Sequence, residues 1–178
     1  EAGHALVSKM SPLTDPVLKV SVVARGTALG YVLSRPEQDN YLYRKDKFKQ
    51  ELSVTMGGRA AEKLIFNEMW TGASGDLESA TDIARAMVTR YGMSATLGPQ
   101  TFGERDELVF LGREISEQRN YSEDIARQID REVRALTDEA YERALNILTT
   151  YKDKLLLLAQ TLMEKETLDR KEFEAVMA

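Results

Sequence analysis

The chain of 178 residues contains no cysteine, and His4 is its one histidine. The absence of cysteine excludes disulfides, thiol catalysis and zinc fingers built on thiolates. Any transition-metal site must therefore use His4, carboxylates and water, or residues from outside the chain. Long apolar runs are also absent: the longest purely apolar stretch, 155–159, is far shorter than the roughly 20 residues of a membrane-spanning helix.

Several other signatures are missing. The sequence has no phosphate-binding G-x-x-x-x-G-K-[ST] loop, no G-x-S-x-G elbow and no signal peptide. A net charge of −5 gives no indication of nucleic-acid binding. The 43% hydrophobic and 30% charged residues are typical of a globular protein, and the length fits one domain. Because the chain starts without Met and inside a motif, we expect a fragment of a longer protein.

Hydrophobic periodicity predicts a mostly helical first half. Residues 1–10 have the composition of the end of a helix, and the β-branched stretch 17–33 predicts a two-stranded ribbon. Apolar residues recur every four positions between 45 and 67, which predicts a helix interrupted by Gly57-Gly58. The glycine pair indicates either the close approach of another helix or a break into two shorter helices.

The second half is also predicted to be helical. A helix is expected over 77–91, and further helices run from Ser122 to about Tyr151 and from 152 to 164. Asp169 and Glu172 have the spacing of a capping box that starts a last short helix. Residues 93–121 show no sustained period, and 108–112 fit a short strand or a packed loop. The predicted fold class is mainly α, with a small β ribbon near the N-terminus.

The most informative residues are the first four, Glu1-Ala-Gly-His4. They match the second part of H-E-x-x-H, a helical motif that places two imidazoles on one face to share Zn²⁺, with the glutamate beside the metal as general base. A lone E-x-x-H is common, so the alternative that His4 is an interior or capping imidazole stays open on spacing alone.

Three other features have both a functional and a structural interpretation. Asp76 follows a small-residue loop at the start of the 77–91 helix, where it is a candidate functional carboxylate or simply a partner for backbone N–H groups. Glu62 could orient an imidazole or lie on a solvated helix face. The 17–33 ribbon could bind an extended peptide along its edge or serve only as structure.

Blocks along nearly the whole chain, in order, resemble the FtsH family of ATP-dependent zinc metalloproteases. They are Glu1-Ala-Gly-His4-Ala5, Arg25-Gly26-x-x-Leu29-Gly30, Met56-Gly57-Gly58-Arg59-Ala60-Ala61-Glu62, Thr71-Gly72-Ala73-Ser74-Gly75-Asp76-Leu77, Ala84-Arg85-x-Met87-Val88, Tyr91-Gly92-Met93-Ser94, Phe110-Leu111-Gly112-Arg113, Tyr141-Glu142-Arg143-Ala144 and Glu166-Thr167-Leu168. Several blocks at matching spacing are far more specific than one incomplete metal motif.

The resemblance implies a zinc site. In it His4 and Asp76 are zinc ligands, Glu1 is the catalytic base, and the family's first histidine falls just before residue 1. Residues 1–178 are then the zinc metallopeptidase domain, truncated at its N-terminus. The resemblance further implies metal-assisted peptide hydrolysis.

The resemblance also implies properties of the whole protein. A membrane anchor and an AAA+ ATPase module, which uses ATP and Mg²⁺, would lie outside this chain. Homo-hexamers would degrade unfolded and membrane polypeptides, with this domain on the cytoplasmic side in bacteria, or the organelle equivalent. No nucleic acid and no direct membrane contact by this domain are expected. The alternative from a different class is a non-catalytic helical oligomerisation or interaction module.

Overall fold

The computed structural model describes residues 1–24, 30–36, 42–103 and 120–178. Helices dominate these ranges, as the apolar periodicity predicts, and none of them is both long and apolar enough to cross a lipid bilayer. In chain order the elements are α1 (Ala2–Lys9), β1 (Val17–Ser21), β2 (Tyr31–Ser34), α2 (Lys45–Thr55), α3 (Gly57–Phe66), a 3₁₀ turn (Thr71–Ala73), α4 (Ser74–Thr89), α5 (Glu123–Thr150), α6 (Lys152–Lys165), β3 (Thr167–Asp169) and α7 (Arg170–Met177).

The long helix α5 is the central element of the helical packing. It lies against α2, α3 and α4, and its buried face carries Ile129, Val133 and Leu148. Ser122 caps its start by accepting a hydrogen bond from the Ile125 amide. Since the apolar stripes of all four helices face one another, they share one continuous hydrophobic core with α1 and α6.

A small antiparallel sheet closes the other side of this core. Its strand order is β2-β1-β3, so the expected ribbon of β1 and β2 gains a third strand from the far end of the chain. Val20 is central: it faces Val32 on β2 and Leu168 on β3. The third strand was not predicted, because three residues after a helix carry too little period to indicate a strand.

The Gly57-Gly58 pair lies where α1 approaches the start of α3. A Cβ on Gly3 would lie 2.4 Å from the Gly57 carbonyl oxygen, and one on Gly57 would lie 2.9 Å from the Cα of His4. Both interpretations of the pair are therefore correct: the predicted helix breaks into α2 and α3 at Met56, and the glycines admit a second helix at backbone distance.

The sequence predictions for the remaining helices are confirmed. The helix expected over 77–91 is α4, the two long C-terminal helices are α5 and α6, and Asp169 and Glu172 form the capping box of α7. The mainly α fold class with a small β ribbon near the N-terminus is confirmed. The choice between strand and loop at 108–112 falls outside the described residues.

Candidate metal centre and adjoining cleft

His4 is fixed by a backbone group. Its Nδ1 lies 2.7 Å from the carbonyl oxygen of Val54, in the last turn of α2. A carbonyl can only accept, so Nδ1 carries the proton and donates it. This bond selects the imidazole tautomer that leaves the lone pair on Nε2, the arrangement typical of a metal-binding histidine whose other nitrogen is held in place.

Asp76 faces that lone pair. It lies in the first turn of α4, and its Oδ2 is 3.1 Å from Nε2 of His4. The N-cap residue of α4, Ala73, makes no side-chain cap hydrogen bond, and the contact that the structure gives the Asp76 carboxylate is the one with His4. The 3₁₀ turn before α4 and the packing of α1 against α3 place these two side chains together although 72 positions (76 − 4) separate them.

The donor atoms of this pair fit a shared cation. With Nδ1 donating to Val54, a neutral His4 presents only an acceptor to the acceptor oxygen of Asp76. A proton on Nε2 or a metal ion between the two atoms would remove the repulsion. Zinc bonds of about 2.0–2.2 Å in a tetrahedral site put neighbouring ligand atoms about 3.3 Å apart, close to the observed 3.1 Å.

Two protein ligands do not complete a zinc site. Within the described ranges, no group of three or more histidine, cysteine, aspartate or glutamate side chains is placed to hold a metal ion. His4 and Asp76 fit as part of a ligand set, and a further ligand would come from outside the described residues. An imidazole paired with a carboxylate favours zinc over the hard cations Ca²⁺ and Mg²⁺, which prefer oxygen ligands.

Gly58 makes room for the His4 ring. A Cβ at this position would lie 2.4 Å from Nε2, the nitrogen that faces Asp76. The second glycine of the pair therefore has a different role from the first: Gly57 admits the backbone of α1, and Gly58 admits the imidazole. The sequence indicated a close approach here, but the packing partner at Gly58 is a side chain.

Glu1 lies one helical turn before His4, and its carbonyl accepts the hydrogen bond of the Ala5 amide. Its side chain extends toward the start of β2, where a Cβ on Gly30 would lie 2.7 Å from Cγ and 2.9 Å from Oε1 of Glu1. Gly30 thus leaves space for the carboxylate. The structure gathers all three predicted site residues, Glu1, His4 and Asp76, around one cleft.

That cleft has a volume of about 760 Å³. It is lined by Tyr31, Val32 and Ser34 of β2, which is the outer strand of the sheet within the described ranges, and by Thr71 and Ser74 from the 3₁₀ turn and the start of α4. An extended peptide could lie along β2 and reach the Glu1, His4 and Asp76 side chains. The sequence offered the ribbon as a candidate for this role but did not place it beside the site.

Glu62 does not orient the imidazole. Both ring nitrogens of His4 have other partners, Val54 and Asp76. The carboxylate of Glu62 instead lies 3.5 Å from Nη1 of Arg59, one turn earlier on α3. Sequence reasoning could not have found Val54 as the true partner, because a backbone carbonyl leaves no mark on residue identity.

The fold and the site define a class: a mainly helical domain with an E-x-x-H helix whose histidine faces a carboxylate from a second helix. The family model described as Peptidase family M41 matches residues 1–176. The chain belongs to this family, and the FtsH resemblance of its sequence blocks is confirmed.

Curated relatives agree. The chain is 56% identical to the ATP-dependent zinc metalloprotease FtsH 1 of Sphaerobacter thermophilus, and the match covers 99% of this chain and 27% of that protein. It is 55% identical to the protein of the same name from Thermomicrobium roseum, with the same coverage. For the ATP-dependent zinc metalloprotease FtsH of Chloroflexus aggregans the identity is 53%, over 99% of this chain and 27% of the relative. The chain thus spans about a quarter of the length of these relatives.

Proposed function

We propose that residues 1–178 are one zinc-dependent endopeptidase domain in which His4 and Asp76 are zinc ligands and Glu1 is the general base. The observation that carries this proposal is the approach of Nε2 of His4 to Oδ2 of Asp76 at 3.1 Å, with Nδ1 already occupied. The family's H-E-x-x-H motif supplies the remaining ligand, a histidine at the position just before Glu1.

In this proposal each residue has one task. A zinc ion held there would supply a Lewis acid for the scissile carbonyl and would lower the pKa of bound water to about 7. Glu1 takes the proton of the attacking water and passes it to the amine nitrogen as the peptide C–N bond breaks, so the products are a carboxylate and an amine. Val54 keeps the His4 tautomer fixed throughout.

The cleft supports an extended polypeptide as substrate. Edge strand β2 offers main-chain groups to a peptide, and Gly30 at its start lies against the Glu1 side chain. A peptide paired with β2 would carry its backbone past the candidate base. Main-chain pairing is independent of side-chain identity, which suits a protease of unfolded chains.

We further propose that the whole protein couples this domain to an ATPase. The names of the relatives, ATP-dependent zinc metalloproteases, support ATP and Mg²⁺ as cofactors of a module outside residues 1–178. The remaining elements follow from the family: a membrane anchor, a homo-hexamer, unfolded or membrane polypeptides as substrates, and this domain on the cytoplasmic side or its organelle equivalent. The domain itself would contact neither the membrane nor nucleic acid.

The variant Glu1→Gln in the full-length protein tests the role of the base. The amide cannot accept the proton of the attacking water, so we expect degradation of an unfolded protein such as casein to fall at least about 100-fold. Zinc content and ATP hydrolysis should stay at wild-type levels. The measurements are casein degradation in the presence of ATP, zinc by elemental analysis, and phosphate release.

Glu68→Gln is the matched control, because Glu68 is exposed and lies outside the cleft. It should degrade casein at the wild-type rate. Full activity of Glu1→Gln would reject Glu1 as the base, and loss of zinc from that variant would show that Glu1 serves the metal site instead. A non-catalytic interaction module, the alternative function, predicts no cleavage by the wild-type protein either.

A further inference from the structure

Helix α4 is anchored in the core only after its first turn. Its buried side chains begin at Ala80, and the helix packs against α2 and α5. Asp76 lies one turn before Ala80, in a stretch (74–79) that contains no buried residue. The packing that holds the rest of α4 therefore does not by itself fix the carboxylate that faces His4.

The segment that leads into α4 has few constraints of its own. From the end of α3 the chain runs through residues 67–70 into the 3₁₀ turn Thr71–Ala73, and α4 follows at once. Gly72 and Gly75 lie in and just after this turn, and a Cβ at either glycine would meet no atom within 4 Å. Glycine backbones without close neighbours have many conformations open to them, so holding them in one costs entropy. A contact from outside the segment is needed to keep Asp76 in place.

Arg59 on α3 makes such a contact. Its Nη1 donates a hydrogen bond to the carbonyl oxygen of Trp70 at 3.4 Å, and Trp70 is the residue immediately before the 3₁₀ turn. The same nitrogen lies 3.5 Å from the Glu62 carboxylate, and only 20% of the Arg59 side chain is exposed. A charged guanidinium that a neighbouring carboxylate holds is a stronger and better oriented donor than a neutral side chain.

Two further contacts shape the same connection. The rings of Phe66 and Trp70 meet edge to face, with their centroids 5.0 Å apart. Asn67, which follows α3, has a left-handed backbone with φ of 53°, and its side-chain oxygen accepts a hydrogen bond from Lys63. These contacts direct the chain as it leaves α3, and the hydrogen bond from Arg59 holds it where the 3₁₀ turn begins.

We propose that Arg59 is a positioning residue for the candidate ligand Asp76. Through the Trp70 carbonyl it holds the 3₁₀ turn, and with it the first turn of α4, beside the metal centre. This inference rests on the proposed function, in which Asp76 binds zinc. Three consecutive residues at the start of α3 then serve the centre in different ways. Gly57 admits the α1 backbone, Gly58 admits the imidazole, and Arg59 places the ligand from the second helix.

The first test compares the zinc affinities of the full-length wild-type protein and Arg59→Met, measured by competition with a chelator. Methionine keeps an unbranched stem but cannot donate to the carbonyl. We therefore expect the affinity to drop about 10-fold, the lower end of the loss for a contact that supports a ligand. Arg127→Met is the matched control, because it also removes a helical ion pair between residues three apart, here the exposed pair with Asp124. Its zinc affinity should equal that of the wild-type protein.

The variant Asp76→Ala shows through which residue Arg59 acts. If Arg59 serves only to position Asp76, its replacement has nothing left to disturb once the carboxylate is gone. We expect the double variant Arg59→Met/Asp76→Ala to bind zinc as tightly as Asp76→Ala alone. A further loss of similar size in the double variant would show that Arg59 supports α3 and the His4 side of the centre, and would reject the proposal.

Hydrogen exchange of the metal-free protein provides a readout that does not involve zinc. The backbone amides of residues 71–78 should exchange faster in Arg59→Met than in the wild-type protein, because a lost support opens the segment that it held. Amides in α5 should keep their wild-type rates, and faster exchange there would indicate a general loss of stability and reject the positioning role. Arg59→Lys keeps the charge beside Glu62 and a donor for the carbonyl, so it should lose less zinc affinity than Arg59→Met.

The outcomes separate this inference from the proposed function. Unchanged zinc affinity in Arg59→Met, or unchanged exchange at 71–78, overturns the role of Arg59 while leaving the zinc site intact. An equal loss of affinity in Arg59→Lys and Arg59→Met would show that the hydrogen bond to Trp70 is not the cause. Wild-type zinc affinity in Asp76→Ala overturns the proposed function, and the inference with it.

Discussion

At the scale of single residues, the geometry of His4 depends on neighbours that contribute no functional side chain. The Val54 carbonyl fixes the ring through Nδ1, and Gly58 leaves the space that Nε2 occupies. Gly3 and Gly57 bring the two backbones together. The candidate ligand is therefore positioned by one backbone oxygen and by three glycines, which leave room for α1 and for the imidazole.

The variant Gly58→Ala should separate metal binding from folding. Its Cβ would lie 2.4 Å from Nε2 of His4, closer than two such atoms can approach. The imidazole ring must therefore move, which takes Nε2 away from Asp76. Since the ring can swing aside at modest cost, we expect the protein to fold but its zinc affinity to drop about 10–100-fold, the usual loss when a ligand is no longer held in place. Competition with a chelator measures the affinity, and thermal unfolding of the metal-free protein measures the fold.

Gly75→Ala is the control for this variant. Gly75 precedes Asp76 on α4, and a Cβ there would meet no atom within 4 Å. Zinc affinity should remain at the wild-type value, since the added methyl group touches neither ligand. Equal affinities for the wild-type protein and Gly58→Ala would contradict the role assigned to Gly58.

At the scale of elements, a buried ion pair ties α2 to the segment that follows α1. Lys47 is buried, and its Nζ lies 2.9 Å from Asp15 and 3.7 Å from Glu51. Nearby, the Leu13 amide donates to the Gln50 side chain. These bonds hold the loop between α1 and β1 against α2, the helix whose last turn supplies the Val54 carbonyl.

The environment raises the pKa of the Lys47 ammonium above 10.5. Burial acts to lower this pKa, but the hydrogen bond and the charge of Asp15, together with Glu51, outweigh it. A raised lysine pKa means that the native state binds the proton more tightly than the unfolded state. The resulting stabilisation is complete below pH 10.5 and is lost as the pH rises through the native pKa.

The variant Lys47→Gln should therefore lower the free energy of unfolding by about 1–3 kcal/mol at pH 7, because it leaves Asp15 without its cation in a partly buried place. Urea unfolding measures the change, and the gap from the wild-type protein should narrow above pH 10.5. Arg134→Gln, which breaks the exposed pair with Asp138 on α5, should change the free energy by less than about 0.5 kcal/mol. An equal decrease in the free energy of unfolding for the two variants would show that the Lys47–Asp15 pair stabilises the fold no more than an exposed ion pair does.

The long helices were predictable from sequence because their apolar residues recur at helical spacing and their starts carry caps. Ser122 before α5 and the Asp169–Glu172 box before α7 make their hydrogen bonds within the first turn of each helix, so these signals do not depend on tertiary contacts. Strand β3 was not predictable: it exists because Leu168 meets Val20, a pairing between opposite ends of the chain.

At the scale of the whole molecule, the fold brings distant segments to one place. His4 on α1 lies next to Asp76 on α4. Helix α1 packs against α3, and the 3₁₀ turn that precedes α4 places the first turn of α4 beside the cleft. Their residue types and motif spacing indicated a zinc site through the family resemblance. The distance of 3.1 Å between their side chains results from tertiary packing, and no local sequence pattern predicts it.

The sheet has a comparable role for the substrate cleft. Strand β1 pairs on one side with β3, near the end of the chain, and on the other with β2, which lines the cleft. Helix α7 follows β3 and buries Phe173 and Met177. The C-terminal segment therefore supports β1, the strand next to the proposed peptide-binding edge β2.

The proposed function requires His4 and Asp76 to bind one zinc ion. The most direct measurement is the zinc affinity of the full-length protein and of Asp76→Ala, determined by competition with a chelator, with the exposed α4 variant Glu78→Ala as control. We predict one zinc per wild-type and Glu78→Ala chain, and an affinity at least 10–100-fold lower for Asp76→Ala, because a lost ligand should cost no less than a lost supporting contact. Wild-type affinity in Asp76→Ala would contradict the account and leave the His4–Asp76 contact as an ion pair.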